Sequence, residues 1–287
     1  MEITMKENQR LVDFLPPLSM FCNQASGILT SYRIYKPVGG SESTPVLVFL
    51  HGFNGSSKSW AYQFAHFTNH TVIAIDAPGF GGSQVIEGGM VAIADEVAGV
   101  ITSLVNGEAV IIGHSMGGML AQVLGATHPD ICQAIILSCT HKGRAQPART
   151  PLDAAVIERI EQRKMMDDAT YGALRVSKML PGDIDPGIAE FLAMVAGDIR
   201  VEGIDSGGRA MHHLDTTNLL PKITAPVAIF SGANDIVVKP AAAAALKAAL
   251  PLARHWLIRG VGHAPYCEDA ASFNSAIEQF LDYVSAV

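Results

Sequence analysis

A serine with the spacing G-x-S-x-G is the residue whose surroundings point most directly to chemistry. Gly113, Ser115 and Gly117 form this pattern, directly after a run of four apolar residues and before apolar residues at helical spacing. At so sharp a turn from strand to helix, the serine backbone is strained and its hydroxyl projects above the sheet. The glycines leave space where a Cβ would meet the crossing chain. Alone the pattern is a weak signal, because a glycine-rich turn can carry an incidental serine.

Two residues further along the chain could activate this serine. A serine hydroxyl needs a base to become a nucleophile, and the base needs an acid that orients it. Asp235 follows a predicted strand at residues 227–231, and His263 follows another at residues 254–258. Each has a plain alternative, as a solvated loop carboxylate or a packing histidine. The order serine, aspartate, histidine is the one expected for a nucleophile at such a turn, so we predict a triad of Ser115, Asp235 and His263.

The elements that must position these residues alternate between apolar strands and helices, which predicts a mostly parallel sheet covered on both faces. The alternation stops between residues 141 and 214, where charged amphipathic stretches occur at residues 151–166 and 186–196. We therefore predict an α/β core of residues 1–140 and 215–287 and a helical cap of residues 141–214. An insertion between two sheet strands should lie above their carboxyl ends, where ligands bind in open α/β sheets.

Composition narrows the class of protein. The chain has 287 residues, of which 49% are hydrophobic, so it can bury one large core. A net charge of −7 argues against nucleic acid or an anionic membrane as partner. The first ten residues lack the apolar core of a signal peptide, and no apolar run approaches membrane-spanning length, so we expect a cytoplasmic protein. The four cysteines form no C-x-x-C pair and are expected to be free, buried thiols. We expect no cofactor, no metal and a small-molecule substrate; formation of a homo-oligomer stays open.

The sequence resembles the α/β-hydrolase family from about residue 18 to the C-terminus. The resemblance rests on His51-Gly52-Phe53, Asp76-x-Pro78-Gly79-x-Gly81-x-Ser83, Gly113-His114-Ser115-Met116-Gly117-Gly118, Gly232-x-x-Asp235 and Gly262-His263. It implies an eight-stranded, mostly parallel sheet with helices on both faces and a helical cap. It also implies an oxyanion hole made by the backbone N–H groups of Phe53 and Met116, whose side chains would then line the pocket. These segments together are specific for the fold and weakly specific for the substrate.

Residues beside the triad and the oxyanion hole are candidates for the substrate pocket, namely His51, Asn54 and His114. His51 is interpreted as a hydrogen-bond donor that fixes the loop, rather than as a second base. Asp76 is an alternative acid but lies on the wrong strand. The loop after the strand at residues 133–138 contains no carboxylate, which also favours Asp235.

The cap also contributes several arginines. One of them pointing inward would bind a substrate carboxylate through two parallel hydrogen bonds. The arginines are Arg144, Arg149, Arg159, Arg163, Arg175, Arg200 and Arg209.

These observations predict a cofactor-free serine hydrolase that cleaves a small carboxylic ester, lactone or related acyl compound through an acyl-enzyme. The same triad can hydrolyse a C–C bond in a ring-fission (meta-cleavage) dienoate, which is the main alternative. Many C–C hydrolases of the family carry Gly-Pro-Gly after the His51 strand and Asn at the position of His114, and this chain does not. The Asp76 segment, in contrast, is common among them. Acyl transfer to another acceptor and a non-catalytic receptor are less favoured, and a serine nucleophile disfavours dehalogenase or epoxide-hydrolase chemistry.

Overall fold

The loops that contain the candidate site residues all follow strands of one β-sheet. The computed structural model describes residues 11–13, 15–39, 44–180, 182 and 184–286, so the prediction made for the first ten residues lies outside the described residues. In this part of the chain, eight strands form one sheet of order β1-β2-β4-β3-β5-β6-β7-β8. They are β1 (Leu18–Cys22), β2 (Leu29–Tyr35), β3 (Leu47–Leu50), β4 (Val72–Ile75), β5 (Ala109–His114), β6 (Cys132–Ser138), β7 (Val227–Gly232) and β8 (Arg254–Ile258).

The pairing of these strands confirms the predicted fold class. β1 and β2 form an antiparallel hairpin, and β2 also pairs antiparallel with β4. The other neighbouring pairs, from β4 through β3 and β5 to β8, are parallel. The carboxyl ends of β3, β5, β7 and β8 therefore point to the same edge of the sheet.

Helices cover both faces of the sheet. They are α1 (Ala61–His66), α2 (Gly89–Leu104), α3 (Met116–Thr127), α4 (Ala154–Met165), α5 (Asp168–Met179), α6 (Pro186–Gly197), α7 (Val201–His213), α8 (Pro240–Ala249), α9 (Pro265–Glu268) and α10 (Ala270–Ser285). Alternate residues of β3 enter different apolar clusters, as the two-residue period of a strand requires. Val48 and Leu50 pack with residues of α2 and α3, whereas Leu47 and Phe49 pack with residues of α1 and α10. None of the helices in the described residues is long and apolar enough to cross a membrane.

The turn between β5 and α3 depends on glycine. A Cβ on Gly113 would lie 2.2 Å from the carbonyl oxygen of Gly117, and one on Gly117 would lie 2.1 Å from the carbonyl oxygen of Leu50. No side chain fits at these distances, so the strand and the helix can cross this closely only at glycine. The helix ends at Thr127 because His128 precedes a proline, which disfavours helical backbone at that residue.

Four helices, α4 to α7, occur among the described residues between β6 and β7, and we refer to the segment between these two strands as the insertion. The two predicted amphipathic stretches correspond to α4 and α6, whereas α5 and α7 were not predicted. α4, α5 and α6 each begin after an aspartate whose carboxylate accepts a hydrogen bond from a first-turn amide. In α7, Gly203 and Gly207 lower the helical propensity, but a Cβ there would lie 2.5 Å from the Gly79 carbonyl oxygen and 2.9 Å from the Phe80 ring. The domain boundaries themselves stay a prediction.

Candidate active site

Three side chains from the ends of three strands form one hydrogen-bonded chain. His263 Nε2 lies 3.1 Å from Ser115 Oγ, and His263 Nδ1 lies 2.9 Å from Asp235 Oδ2. The carboxylate can only accept, so the Nδ1–H group donates to Asp235 and Nε2 is left to accept the serine hydroxyl proton. Both distances match the arrangement in which a histidine base, oriented by a carboxylate, activates a serine as a nucleophile.

The backbone holds Ser115 in an uncommon conformation. Its φ is 51° and its ψ is −112°, outside the regions that an L-residue with a side chain favours. The Ser115 amide donates to the carbonyl oxygen of Ser138 at 2.9 Å, and the Thr140 hydroxyl donates to the Ser115 carbonyl oxygen at 2.6 Å. β6 and the loop after it therefore supply the partners that stabilise this strained turn.

Asp235 is buried, yet it is held as an anion. Burial would raise the pKa of its carboxyl group, but the hydrogen bond and charge of His263, with amides from the next turn, bring that pKa below its ordinary value. The amides are those of Val237 and Val238, which donate to Asp235 Oδ1 at 2.8 and 2.9 Å. Both carboxylate oxygens are thus used, one by the histidine and the other by the loop.

Glu268 is a residue that the sequence analysis did not select. Its carboxylate accepts from the amide of Gly262 at 2.7 Å with Oε2 and from the amide of Ala264 at 2.7 Å with Oε1. These amides flank His263, so the glutamate holds the histidine loop from both sides. Burial raises the pKa of Glu268, although the two amides oppose that shift. A glutamate five residues after a loop histidine, in the short helix α9, was the available sequence signal.

The backbone amides expected to form the oxyanion hole lie next to Ser115 along the chain and across the sheet edge. Among the described residues, neither the Phe53 amide nor the Met116 amide donates to a protein acceptor. Met116 is the first residue of α3, whose amide end favours a developing anion. Phe53 lines the cavity above Ser115. The Met116 side chain does not line it, contrary to our expectation, because the phase of α3 directs it into the apolar core.

Of the three residues predicted to line the substrate pocket, two line the cavity and one does not. Asn54 and His114 line the cavity. His51 does not, and its prediction as a pocket residue is wrong. Its ring is buried against Phe80, where Nε2 accepts from the Ala77 amide at 3.0 Å and Nδ1 lies 2.8 Å from the Gly52 carbonyl oxygen. Burial lowers the pKa of His51, which matches this neutral, loop-fixing arrangement.

His114 packs against the catalytic candidate itself. Its ring centroid lies 4.9 Å from that of His263 and 5.0 Å from that of Tyr266. Burial, followed by the nearby His263 and His51, holds its pKa well below the ordinary value. A neutral ring beside His263 adds no permanent charge that would disfavour an imidazolium there.

The cavity above Ser115 is walled on its far side by the insertion. Arg159 from α4 and Arg175 from α5 line it together with the apolar residues Val176 and Leu192, and its volume is about 110 Å³. Of the seven arginines considered in the sequence analysis, three line the cavity: Arg159, Arg175 and the more exposed Arg144.

One group of potential metal ligands occurs among the described residues, and it overlaps the chain of three side chains. Ligand atoms of Cys139, Asp235 and His263 lie within 4.8 Å of one another. Burial, followed by the charge of Asp235, raises the pKa of the Cys139 thiol well above its ordinary value. All four cysteines are free, and Cys132, Cys139 and Cys267 are buried as predicted, whereas the predicted burial of Cys22 is wrong because it lies exposed at the end of edge strand β1.

Comparisons with known proteins agree with this architecture. The model of the alpha/beta hydrolase fold family matches residues 45–171. The chain is 23% identical to the sn-1-specific diacylglycerol lipase of Mus musculus over 86% of this chain and 84% of that protein. Among solved structures, the enol-lactonase of Burkholderia xenovorans superposes with a TM-score of 0.80 at 22% identity, over 92% of this chain and all 100% of that one. A thermophilic esterase from Thermogutta terrifontis superposes with a TM-score of 0.78 at 25% identity, over 93% and 99% of the two chains. At such identities the solved structures support the fold and leave the substrate open. The chain therefore has the alpha/beta hydrolase fold, and its residues 45–171 match the model of that family.

Proposed function

We propose that the chain is a serine hydrolase that cleaves a small carboxylic ester, lactone or related acyl compound through an acyl-enzyme. The observation that carries the proposal is the continuous hydrogen-bonded path from Ser115 Oγ through His263 to Asp235, at 3.1 and 2.9 Å. We also propose an oxyanion hole formed by the backbone amides of Phe53 and Met116, which donate to no protein acceptor among the described residues. Such a site can run acyl transfer with no cofactor.

The proposed reaction has two halves. Ser115 Oγ attacks the substrate carbonyl carbon while its proton passes to His263 Nε2, and the oxyanion accepts hydrogen bonds from the amides of Phe53 and Met116. The C–O bond to the leaving group breaks, and the imidazolium returns the proton to the leaving alkoxide. Water then attacks the acyl-enzyme with His263 as base, which releases the acid and restores Ser115. Asp235 stabilises the imidazolium in both halves.

One feature supports a substrate of modest size, and another supports cleavage of an acyl compound rather than a C–C bond. The cavity volume of about 110 Å³, closed on one side by the insertion, favours a compact substrate, and we propose that the insertion acts as a cap. The oxyanion loop, His51-Gly52-Phe53-Asn54, differs from the Gly-Pro-Gly expected for many C–C hydrolases. A lactonase, an esterase and a lipase among similar proteins agree with this substrate class.

The nucleophile is tested by Ser115→Ala. This change should lower kcat about a thousandfold or more, while the melting temperature stays near that of the wild type because the side chain makes few packing contacts. The matched control is Ser177→Ala, an exposed serine on α5 whose hydroxyl bonds only within its own helix. A serine-directed sulfonyl fluoride should label Ser115. Full activity of Ser115→Ala would remove the proposed mechanism.

The bond that is cut is tested by comparing substrates. The ratio kcat/KM should be higher for small alkyl esters and enol-lactones than for a ring-fission dienoate. A dienoate preferred by about a hundredfold, which is roughly 2.7 kcal/mol, would overturn ester or lactone hydrolysis in favour of C–C cleavage by the same residues.

A further inference from the structure

The insertion arginines differ in how their charges are compensated. Three of them form ion pairs within the insertion: Arg144 with Asp153, Arg163 with Asp168 and Arg209 with Asp205. Arg159 and Arg175, the less exposed of the arginines that line the cavity, form no ion pair with any described carboxylate. Arg149 and Arg200 also form none among the described residues, but both are exposed and neither lines the cavity. The unpaired arginines that are shielded from solvent are thus found where a ligand would sit.

Of these two arginines, Arg175 is the more buried, and its charge has no anionic partner among the described residues. The residue is 5% exposed, and its Nη2 donates to the neutral side-chain oxygen of Gln162 at 2.6 Å. Its guanidinium lies 5.2 Å from the centre of the Tyr171 ring. Within the described part of the chain, its buried Nε finds no acceptor. A buried guanidinium without an anionic partner is costly, so this position favours the binding of an anionic group.

Arg159 approaches the same cavity from the neighbouring helix. Its Nη1 donates to Asn54 Oδ1 at 3.0 Å, and its guanidinium lies 5.0 Å from the centre of the Phe53 ring. Both partners are neutral and belong to the loop that carries the proposed oxyanion amide. Burial, followed by the charges of Arg175 and Arg144, lowers the pKa of Arg159 to about 10. The cation is therefore held in surroundings that an anionic group would improve.

We propose that Arg159 and Arg175 bind a carboxylate of the substrate, so that the preferred substrate is a monoester or lactone that retains a free acid group. This inference rests on the proposed function for the reacting end of the substrate. Two guanidinium groups can each offer paired N–H donors to the flat carboxylate. With the acid held on the insertion side, the acyl carbonyl is directed towards Ser115 on the opposite side of the cavity.

Binding is tested without turnover in the Ser115→Ala protein. Calorimetric titration with succinate and with glutarate should give saturable binding of at least one of them, and Arg159→Gln or Arg175→Gln should weaken it about ten- to a hundredfold. Arg209→Gln, an exposed arginine of the insertion, is the matched control and should leave binding unchanged. If Arg175→Gln fails to fold, the more exposed Arg159→Gln and Arg159→Lys carry the test. Absence of diacid binding, or tighter binding of inorganic phosphate than of either diacid, overturns the proposal.

Turnover separates substrate recognition from a structural role of the arginines. With Ser115 restored, monomethyl succinate or glutarate should be preferred over the dimethyl ester. Arg159→Gln should lower kcat/KM for the monomethyl ester by a larger factor than for the dimethyl ester, so that the preference is lost. Equal losses on both esters would mean that Arg159 only holds the oxyanion loop. If the diacid binds through the arginines but neither ester is hydrolysed, the subsite stands and the proposed function fails.

Discussion

The loops at the strand ends and the cavity wall of the insertion satisfy their charges in different ways. In the loops, each charged group has its partners within the protein: Asp235 has His263 and two amides, and Glu268 has two amides. In the wall, Arg159 and Arg175 have neutral partners only, as far as the described residues go. We call the strand-end loops, whose charged groups are paired within the protein, the closed region, and the cavity wall that contains Arg159 and Arg175 the open region. This difference suggests that the chemistry is prepared in advance, whereas recognition depends on what the substrate brings.

The largest effect on turnover is expected when Asp235, the acid of the closed region, is replaced. Asp235→Asn should lower kcat by about ten-thousandfold, because the histidine loses its anion and its productive tautomer. Asp76→Asn is the matched control: that carboxylate accepts from the Ser31 hydroxyl at 2.6 Å and the Ser57 amide at 2.5 Å, so its loss should affect stability more than turnover. Normal turnover by Asp235→Asn with an inactive Asp76→Asn would contradict the assignment.

The same variant has a pH signature in stability. The folded-state pKa of Asp235 lies below the ordinary value of 3.8, so its ionised form stabilises the native state above that pH. The difference in free energy of unfolding between the wild type and Asp235→Asn should therefore be largest at neutral pH. It should shrink as the pH falls through the folded-state pKa, as measured by denaturant titration at several pH values. A difference that grows on acidification would have the wrong sign.

A smaller effect is expected at the outer support of the closed region. Glu268→Gln leaves one acceptor for two amides, so His263 shifts and kcat should fall about ten- to a hundredfold with little change in KM. Glu278→Gln, which removes only an exposed pair with His66, is the control. Because burial raises the pKa of Glu268, protonation should weaken this support at a higher pH than for an ordinary glutamate. In a plot of kcat against pH, the wild type should lose activity on the acid side as Glu268 is protonated, and Glu268→Gln should lack this contribution. An unchanged kcat together with an unchanged acid side of the profile would contradict a positioning role for Glu268.

The smallest effect is expected in the open region, and it concerns stability. Burial lowers the pKa of Arg159, so at neutral pH its charge is less favourable in the folded state than in the unfolded state. Arg159→Met should leave the melting temperature of the free protein unchanged or raise it. Arg163→Met, on the same helix, removes an ion pair with Asp168 and a hydrogen bond to the Ile199 carbonyl oxygen, and it should lower the melting temperature. Equal losses in the two variants would show that the open region is not strained.

The sheet could be predicted from the sequence because its strands are short, continuous apolar runs bounded by turn residues. The placement of Ser115, Asp235 and His263 was also accessible, since each follows such a run and parallel strands end at one edge. Their contacts match that prediction in the structure, although the roles of the residues still await the tests above. The apolar runs and the residues that follow them are local features of the sequence, and the parallel arrangement of the strands accounts for the three side chains lying together.

Other features depend on packing between distant segments and were not predictable from local pattern. The partner of His51 Nε2 is the Ala77 amide, 26 residues along the chain, and this contact removes the ring from the cavity. Helix α7 is rich in glycine because it packs closely on the loop that contains Gly79. Selecting Arg159 and Arg175 from the arginines of the insertion required the mutual orientation of α4 and α5, for which the sequence carries no separate signal.

The strand-end location of the proposed triad has a consequence for folding kinetics. Ser115 and His263 are 148 residues apart in sequence, and their hydrogen bond forms only when β8 has joined β7 at the edge of the sheet. Contacts between such distant residues form slowly because a long loop must close first. β3, β5 and α3 can form the turn that contains Ser115 and bring together both proposed oxyanion amides before that step. Return of enzymatic activity after dilution from denaturant should therefore lag behind the return of helical circular dichroism, and the lag measures the docking of the last strand.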